Sequence, residues 1–591
     1  MLGASVVIKD VNGVTRSATS SSIDGAYSVN IGCLTAPILV EASGTVAGRQ
    51  AVEHSFLTSF SGTTPILNVT PLTDAMLALV GGTDPVSYFA GQNFSILSIA
   101  TTGNVNNVLQ SVLAPVISAV GLSTPVNFFT DTLTPSGRSG LDEAQELINP
   151  VVLPLAADST GAATSEQVEL ISRIDPSQRV QLTFNNGSIT AASTTVASGA
   201  TVAMGDLSGF TVGSQAGFGG IDGLIASLNS DISTGSTTVG YSEYVNYTNN
   251  GVNSTVQGAS PAYQAPVIQQ CDRTQNTCLV RLGYTSTTNS NATILADYYY
   301  DTVKNNGTIW SFYGNHEPFA VDIGYRYLQP LFPPSFPDSL LTPTPTVSTA
   351  QNPIEQLAVH IDTSALGSNS AVQSVSLFTV DGSGNTTALA PALTPALNAL
   401  PSSTTNPVTL VLVLTQAEAA QINTANGHVQ IQVVANGNTT VRDRYLTPAI
   451  DPGTSSAPNT ALAALPYPAL LNDSLSSFLN WDYIDDELTF DTTALSAPVP
   501  ASAPGVIPPA DVTAVLGYSA DPTVTNPPYI FAGQLRPSSG VIVSYQAFLP
   551  NNTKATKAVA DRKIVMGTQD QNLNHYVTAY CVGTNVVANC Q

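Results

Sequence analysis

Positive charge is scarce in this chain. Its 591 residues carry 17 Lys+Arg against 40 Asp+Glu, a net charge of −23, and charged residues of either sign make up only 10%. A polymer this acidic repels phosphate backbones and offers no basic stripe for counterion release, which excludes nucleic acid as a partner. Long apolar runs are missing too: no stretch of about 18 apolar residues occurs, so no transmembrane segment is expected. No basic-then-apolar leader precedes "MLGASVVIKD", which enters a strand at once, and the expectation is an export signal upstream of this start. Catalytic signatures are equally absent. There is no Gly-x-Ser-x-Gly elbow, no His-Glu-x-x-His, no Lys-bearing phosphate loop and no dinucleotide fingerprint. The five histidines, at 54, 316, 360, 428 and 575, are too widely spaced for a local zinc motif, and each alone reads as structural.

What is present is polar without being charged. With 43% hydrophobic residues and few charges, the surface must be covered by Ser, Thr, Asn, Gly and Gln. Such side chains lose little entropy when buried, which suits lateral packing against copies of the same chain. The five cysteines fall into two close pairs and one remainder. In "VIQQCDRTQNTCLVRL", Cys271 and Cys278 flank a polar loop between apolar-alternating arms, the pattern of a stapled hairpin in an oxidising compartment. Cys581 and Cys590 in "CVGTNVVANC" form the second expected disulfide. Cys33, inside "VNIGCLTAPILVEA", is expected as a buried small hydrophobe. The densest acidic stretch, "DYIDDELTFD", offers Asp482, Asp485, Asp486 and Glu487 as oxygen ligands of the kind Ca²⁺ takes, although the spacing matches no EF-hand and a solvated turn is the alternative.

The length allows several domains, and the expected fold is multidomain and mainly β. Residues 1–66 alternate as antiparallel strands in "SVVIKD", "DGAYSVNIG" and "APILVEASG", with Asn12-Gly13 and Asp24-Gly25 as turns. This stretch resembles the carboxypeptidase regulatory-like domain, a transthyretin-like β-sandwich. With "LNVTPLTDAMLALVGG" after it, the opening resembles that of betaproteobacterial secreted proteins and lipoproteins. That resemblance implies an extracellular or cell-surface location and an upstream lipid-accepting Cys, which this chain lacks.

Residues 67–155 change to helical period. Thr70 is placed to cap a helix starting at Pro71, with Asp74 complementing the dipole. "NVNNVLQSVLAPVISAVG" carries an apolar stripe expected to pack in a core and to break near Pro115. Residues 156–215 return to β, with a turn at Asn186-Gly187. A helix around "IDGLIASL" and the long strands after it, ending in "GTIWSFYGN", resemble an α+β NTF2-like cone over 216–332. Residues 333–450 pass from a Pro-rich linker into alternating strands expected to form an immunoglobulin-like sandwich, with a short helix after Thr415. Residues 451–591 are expected to form a further β domain.

The cone is the one site-like region, because folds of that kind open into a pocket at one end. Candidate ligand-binding residues are Tyr241, Tyr244 and Tyr247 of "YSEYVNY", Asp297 and Tyr299 of "DYYYD", and His316 with Glu317 after "YGN"; His316 and Asp297 make a potential acid–base pair. Tyrosine rings also stack on sugars, so a cell-surface glycan or a small apolar molecule suits the cone. The leading expectation is a cell-exterior structural protein that self-associates into a layer or filament. A secreted glycan- or ligand-binding protein is the alternative, and an enzyme centred on the cone ranks third.

Overall fold

The computed structural model describes residues 1–22, 24–47, 49–60, 64–82, 85–91, 94–133, 140–153, 167–185, 188–193, 217–233, 243–253, 262–273, 275–285, 297–332, 349–350, 352–367, 372–389, 408–454, 457–458, 460–463, 465, 467, 488–489, 513–516, 531–534, 546–547, 563–569 and 572–581. The chain is mainly β, with several antiparallel sheets and few helices. It divides into two units. The first comprises residues 1–323, 359–410 and 418–449, and the second residues 324–358, 411–417 and 450–591.

The first unit opens with β1 (Ser5–Asp10), β2 (Thr15–Thr19), β3 (Ile38–Val46) and β4 (Arg49–Leu57), in the order β2-β1-β3-β4. Period-two alternation sends Val6 and Ile8 of β1 inward against Val40 and Ala42 of β3. The Asp10 carboxylate ties the first turn by accepting from the backbone N–H of Asn12, Val14 and Thr35. Two expectations are corrected here. Residues 26–31 are extended and alternate in burial, yet they are in no ladder; Tyr27, Val29 and Ile31 pack onto the sheet as side chains only. Cys33 is exposed, and an Arg16 guanidinium N–H donates to its Sγ at 2.6 Å. The alternation of Tyr27, Val29 and Ile31 stops at a turn in which the Leu34 N–H donates to the Ile31 carbonyl, and Cys33 lies in that turn, facing out.

The helical layer follows. Thr70 caps α1 (Pro71–Gly81), accepting from the Thr73 N–H while the Thr73 hydroxyl accepts from the Thr70 N–H, and Gly82 ends it at φ 63°, a left-handed conformation suited to glycine. Next come α2 (Pro85–Gly91), α3 (Ile99–Val112), α4 (Ala114–Ala119) and α5 (Leu141–Glu146). The chain breaks between α3 and α4 beside Pro115, and Val105, Leu109, Val116 and Ile117 are fully buried, so this stripe faces a core. Four strands, β5 (Ile148–Leu153), β6 (Gln167–Ser172), β7 (Arg179–Asn185) and β8 (Ser188–Ser193), form an antiparallel sheet in sequence order, with Asn185 opposite Ser188 around the expected turn.

The region expected to form a cone consists of α6 (Gly219–Ser233), β9 (Ala262–Tyr263), β10 (Val267–Asp272), β11 (Thr277–Thr285), β12 (Asp297–Asn305) and β13 (Trp310–Phe312). The sheet order is β10-β11-β12-β13, with β9 paired to the far end of β11. Trp310 stacks on Phe218 at the foot of α6, and its indole N–H donates to Gly217 O at 3.0 Å. A single core runs from Leu39 and Phe56 through α1, α3 and β6 to Leu228, Val280, Val303 and Phe312. Cys271 and Cys278 are directly opposed across β10 and β11 and are disulfide-bonded, as their spacing predicts. The closed loop is short, so replacing both with alanine is expected to cost about 2–3 kcal/mol, measured as a shift of the urea midpoint. Cys590 lies outside the described residues; the backbone of Cys581 ends a strand.

Also in the first unit, strands 386–388, 372–380, 428–435 and 438–445 form a four-stranded antiparallel sheet in that order, with Val375, Leu377, Val429, Ile431 and Val433 buried. Helix 416–424 begins directly after Thr415, as expected. The turn at Gly427 has φ 71°, and a Cβ there would stand 2.1 Å from Leu446 O, so only glycine fits. Arg179 is buried and donates to that same Leu446 O at 2.7 Å.

In the second unit, 326–331 runs parallel to 575–580, with Arg326 opposite His575 and Leu331 opposite Tyr580. Strand 563–569 pairs antiparallel on the other side of 575–581 and is followed by 513–516 and 531–534. Leu328, Val577 and Ala579 form its small core. No helix among the described residues is long and apolar enough to cross a membrane.

Candidate functional site

Strand β12 carries the sequence "DYYYDTVKN", and strict alternation divides it into two faces. Tyr299, Asp301 and Val303 lie on one, opposite Leu282, Val280 and Cys278 of β11. That face meets the apolar core beneath α6. Tyr298, Tyr300 and Lys304 lie on the other. There the Tyr298 and Tyr300 rings meet edge-on at 5.9 Å, the Arg281 guanidinium lies 5.9 Å from the Tyr298 ring, and the Lys304 ammonium sits 4.3 Å above Tyr313.

The inner face places a carboxyl where water is excluded. Asp301 is 2% exposed. Its Oδ1 accepts from the Thr302 N–H at 2.7 Å, and its Oδ2 accepts from the Tyr247 hydroxyl at 3.1 Å. Burial pushes this carboxyl up to about 7, against the opposing pull of those two hydrogen bonds. A buried group that titrates near neutrality is suited to proton transfer or to recognition of a charged or hydrogen-bonding ligand.

Tyrosines surround it. Tyr244 meets Tyr247 edge-on at 4.9 Å and stacks on Phe312 at 4.7 Å. Tyr263, Tyr284 and Tyr299 form a triangle with ring centroids 6.1–6.2 Å apart. Burial raises the hydroxyls of Tyr244, Tyr247 and Tyr299 far above the usual phenol range, and the Asp301 charge adds to it, so all three stay neutral donors. Tyr244, Tyr247, Tyr284 and Tyr299 each keep part of their surface exposed. The helix α6 holds the assembly: Asn229 exchanges two hydrogen bonds with the Tyr263 backbone, and Ser227 donates to the buried Glu243 carboxylate. The other Glu243 oxygen has no hydrogen-bond partner among the described residues.

Of the residues singled out from sequence, Tyr244, Tyr247 and Tyr299 meet at this site. Asp297 starts β12 on the same face by register; only its backbone is described, and Tyr241 lies outside the described residues. His316 is exposed at φ 55°, its ring against Tyr313 at 3.9 Å. The backbone N–H of Tyr313 bonds Thr302 O, five residues along β12 from Asp297, or about 17 Å of strand. His316 and Asp297 thus belong to opposite ends of β12. Asp482, Asp485, Asp486 and Glu487 lie outside the described residues. Among the described residues no three His, Cys, Asp or Glu side chains converge as a metal would need.

Asp301 and Glu243 were missed by sequence reasoning. The signal for Asp301 was available: it shares the Asp297–Tyr299 face by simple parity. A second buried cluster, at His54, resembles a catalytic relay but cannot act as one. Its Nδ1 lies 2.7 Å from Asp74 Oδ1 and its Nε2 3.3 Å from Glu41 Oε2. Both ring nitrogens therefore donate, which leaves none to take a proton. Burial disfavours the imidazolium, but the two carboxylates outweigh it and raise His54 to about 9. His54 is a fixed cation joining β3, β4 and α1. No protein-family model and no curated protein matches this chain.

Proposed function

We propose that this is an exported ligand-binding protein whose cone holds a small molecule against the tyrosine-lined inner face of β12. The observation that carries this reading is the Asp301 carboxyl, 2% exposed and enclosed by part-exposed tyrosines. Export is supported by the Cys271–Cys278 disulfide, which a reducing cytosol would not maintain. The other sheets then act as a scaffold and spacers. Because a ligand binding only the native state raises stability by mass action, a cone ligand at 100 times its Kd is expected to add about 2.7 kcal/mol. A thermal-shift screen of glycosides, small apolar molecules and amines checks this. The stabilisation should vanish in Tyr299→Ala and persist in Tyr298→Ala, on the opposite face. No shift across the panel overturns the reading.

A second reading, a cell-exterior protein that assembles with its own copies, is favoured by β2. This edge strand is exposed on both faces and carries Arg16 as its only charge, so little guards it against pairing with another edge. Sedimentation at high concentration in Ca²⁺ and in chelator distinguishes the two. A monomer in both removes the assembly reading.

A further inference from the structure

Among the described residues, the inner face of the cone carries acids and no base paired to them. Asp301 and Glu243 are both at least nine-tenths buried, one oxygen of Glu243 is without a partner, and neither carboxyl is ion-paired to Lys, Arg or His among the described residues. The groups facing Asp301 are neutral. Among the described residues they are Tyr247 and Tyr244 from the segment after α6, Tyr299 from β12 itself and the Thr302 N–H. The titratable groups of α6, Asp222 and Asp231, are both acids. Arg281 and Lys304 engage Tyr298 and Tyr313 on the outer face. Isolated buried carboxylates are costly, and their usual companions are a cation or a proton. Here the walls are aromatic faces, which attract cations through their quadrupoles and disfavour anions.

Building on the binding role just proposed, we infer that the cone takes a small organic ammonium ion, its charge against Asp301 and its alkyl groups against the rings of Tyr244, Tyr247 and Tyr299. Neutral sugars also stack on tyrosine, but they do not supply the missing positive charge. Binding of the ammonium requires the carboxylate form of Asp301, so any proton on that carboxyl leaves to solvent as the ligand enters. No bond other than that O–H is broken.

The experiment is calorimetric titration of the full chain with butylammonium and tetramethylammonium chloride, with methyl glucoside and butanol as neutral comparators, at pH 6 and pH 8. The ammonium ions are expected to bind about tenfold more tightly at pH 8, because an acid titrating near 7 is mostly protonated at pH 6. Asp301→Asn should weaken them by at least about tenfold and abolish the pH dependence, while Tyr298→Leu should leave both unchanged. Folding of each variant is checked by its urea midpoint. Binding of the glucoside or butanol alone, lost in Tyr299→Leu, overturns the ammonium assignment and leaves the binding role standing. Ammonium binding indifferent to pH and to Asp301→Asn also overturns it. If none of the four probes binds, both the assignment and the binding role fail.

Discussion

His54→Ala is expected to destabilise the first unit by about 3–5 kcal/mol at pH 6. The imidazolium bridges Asp74 and Glu41, and Glu53 stands beside it with its own carboxyl held well above the usual range by burial and by the Asp74 charge. Removing the cation leaves these acids to repel one another. The His54 backbone is equally committed, since its N–H donates to Asp74 Oδ1 and its carbonyl accepts from the Thr73 hydroxyl. The sign of the pH effect follows from the direction of the shift. His54 titrates at about 9 folded against 6.5 unfolded, so its contribution is complete below pH 6.5 and is lost as pH rises through 9. Urea denaturation of wild type and variant at pH 6 and pH 9.5 checks this. The difference should shrink to about 1–2 kcal/mol at the higher pH, the packing loss of the ring against Phe89. An equal cost at both values would show that His54 acts by packing alone.

Asp301→Asn is expected to move stability the other way, by about 2–4 kcal/mol in favour of the variant at pH 8. Between pH 3.8 and about 7 the native state keeps a proton on Asp301 that the unfolded chain has released. Wild-type stability therefore falls as pH rises through that window and stays at the lower level above it. Asparagine cannot ionise; its Oδ1 can still accept from the Thr302 N–H, and its amide N–H can donate to the Tyr247 hydroxyl oxygen in place of the bond Oδ2 accepted. Unfolding curves for the two proteins should coincide near pH 4 and diverge towards pH 8. Coincidence at both values would place the Asp301 carboxyl in contact with water. Stability forgone at a buried acid is a common mark of a functional position.

The local rules of the sequence carried well where neighbours in the chain decide the outcome. Thr70, Pro71 and Asp74 announced a helix start because a cap is satisfied within one turn. Cys271 and Cys278 announced a cross-strand pair for the same reason. Long-range partners were not legible. Asp297 and Asp301 are equivalent ends of "DYYYD", and what separates them is Tyr247, brought in from more than fifty positions away. Asp74 was readable as a dipole complement but not as the partner of His54, because that contact depends on how β4 meets α1. Residues 26–31 have the alternation of a strand and lack its ladder, a distinction that resides in the neighbouring backbone and not in the segment.

The parallel pairing of 326–331 with 575–580 has a consequence during synthesis. At about 5–20 residues per second, the ribosome needs some 12–50 s after making the first partner to produce the second. Throughout that interval the hydrogen-bonding edge around Leu328 awaits its mate, open to any nascent strand that reaches it first. Holdase chaperones that keep such edges apart are thus expected to govern the yield of correctly folded protein, and slowing elongation downstream of residue 332 should raise the demand for them.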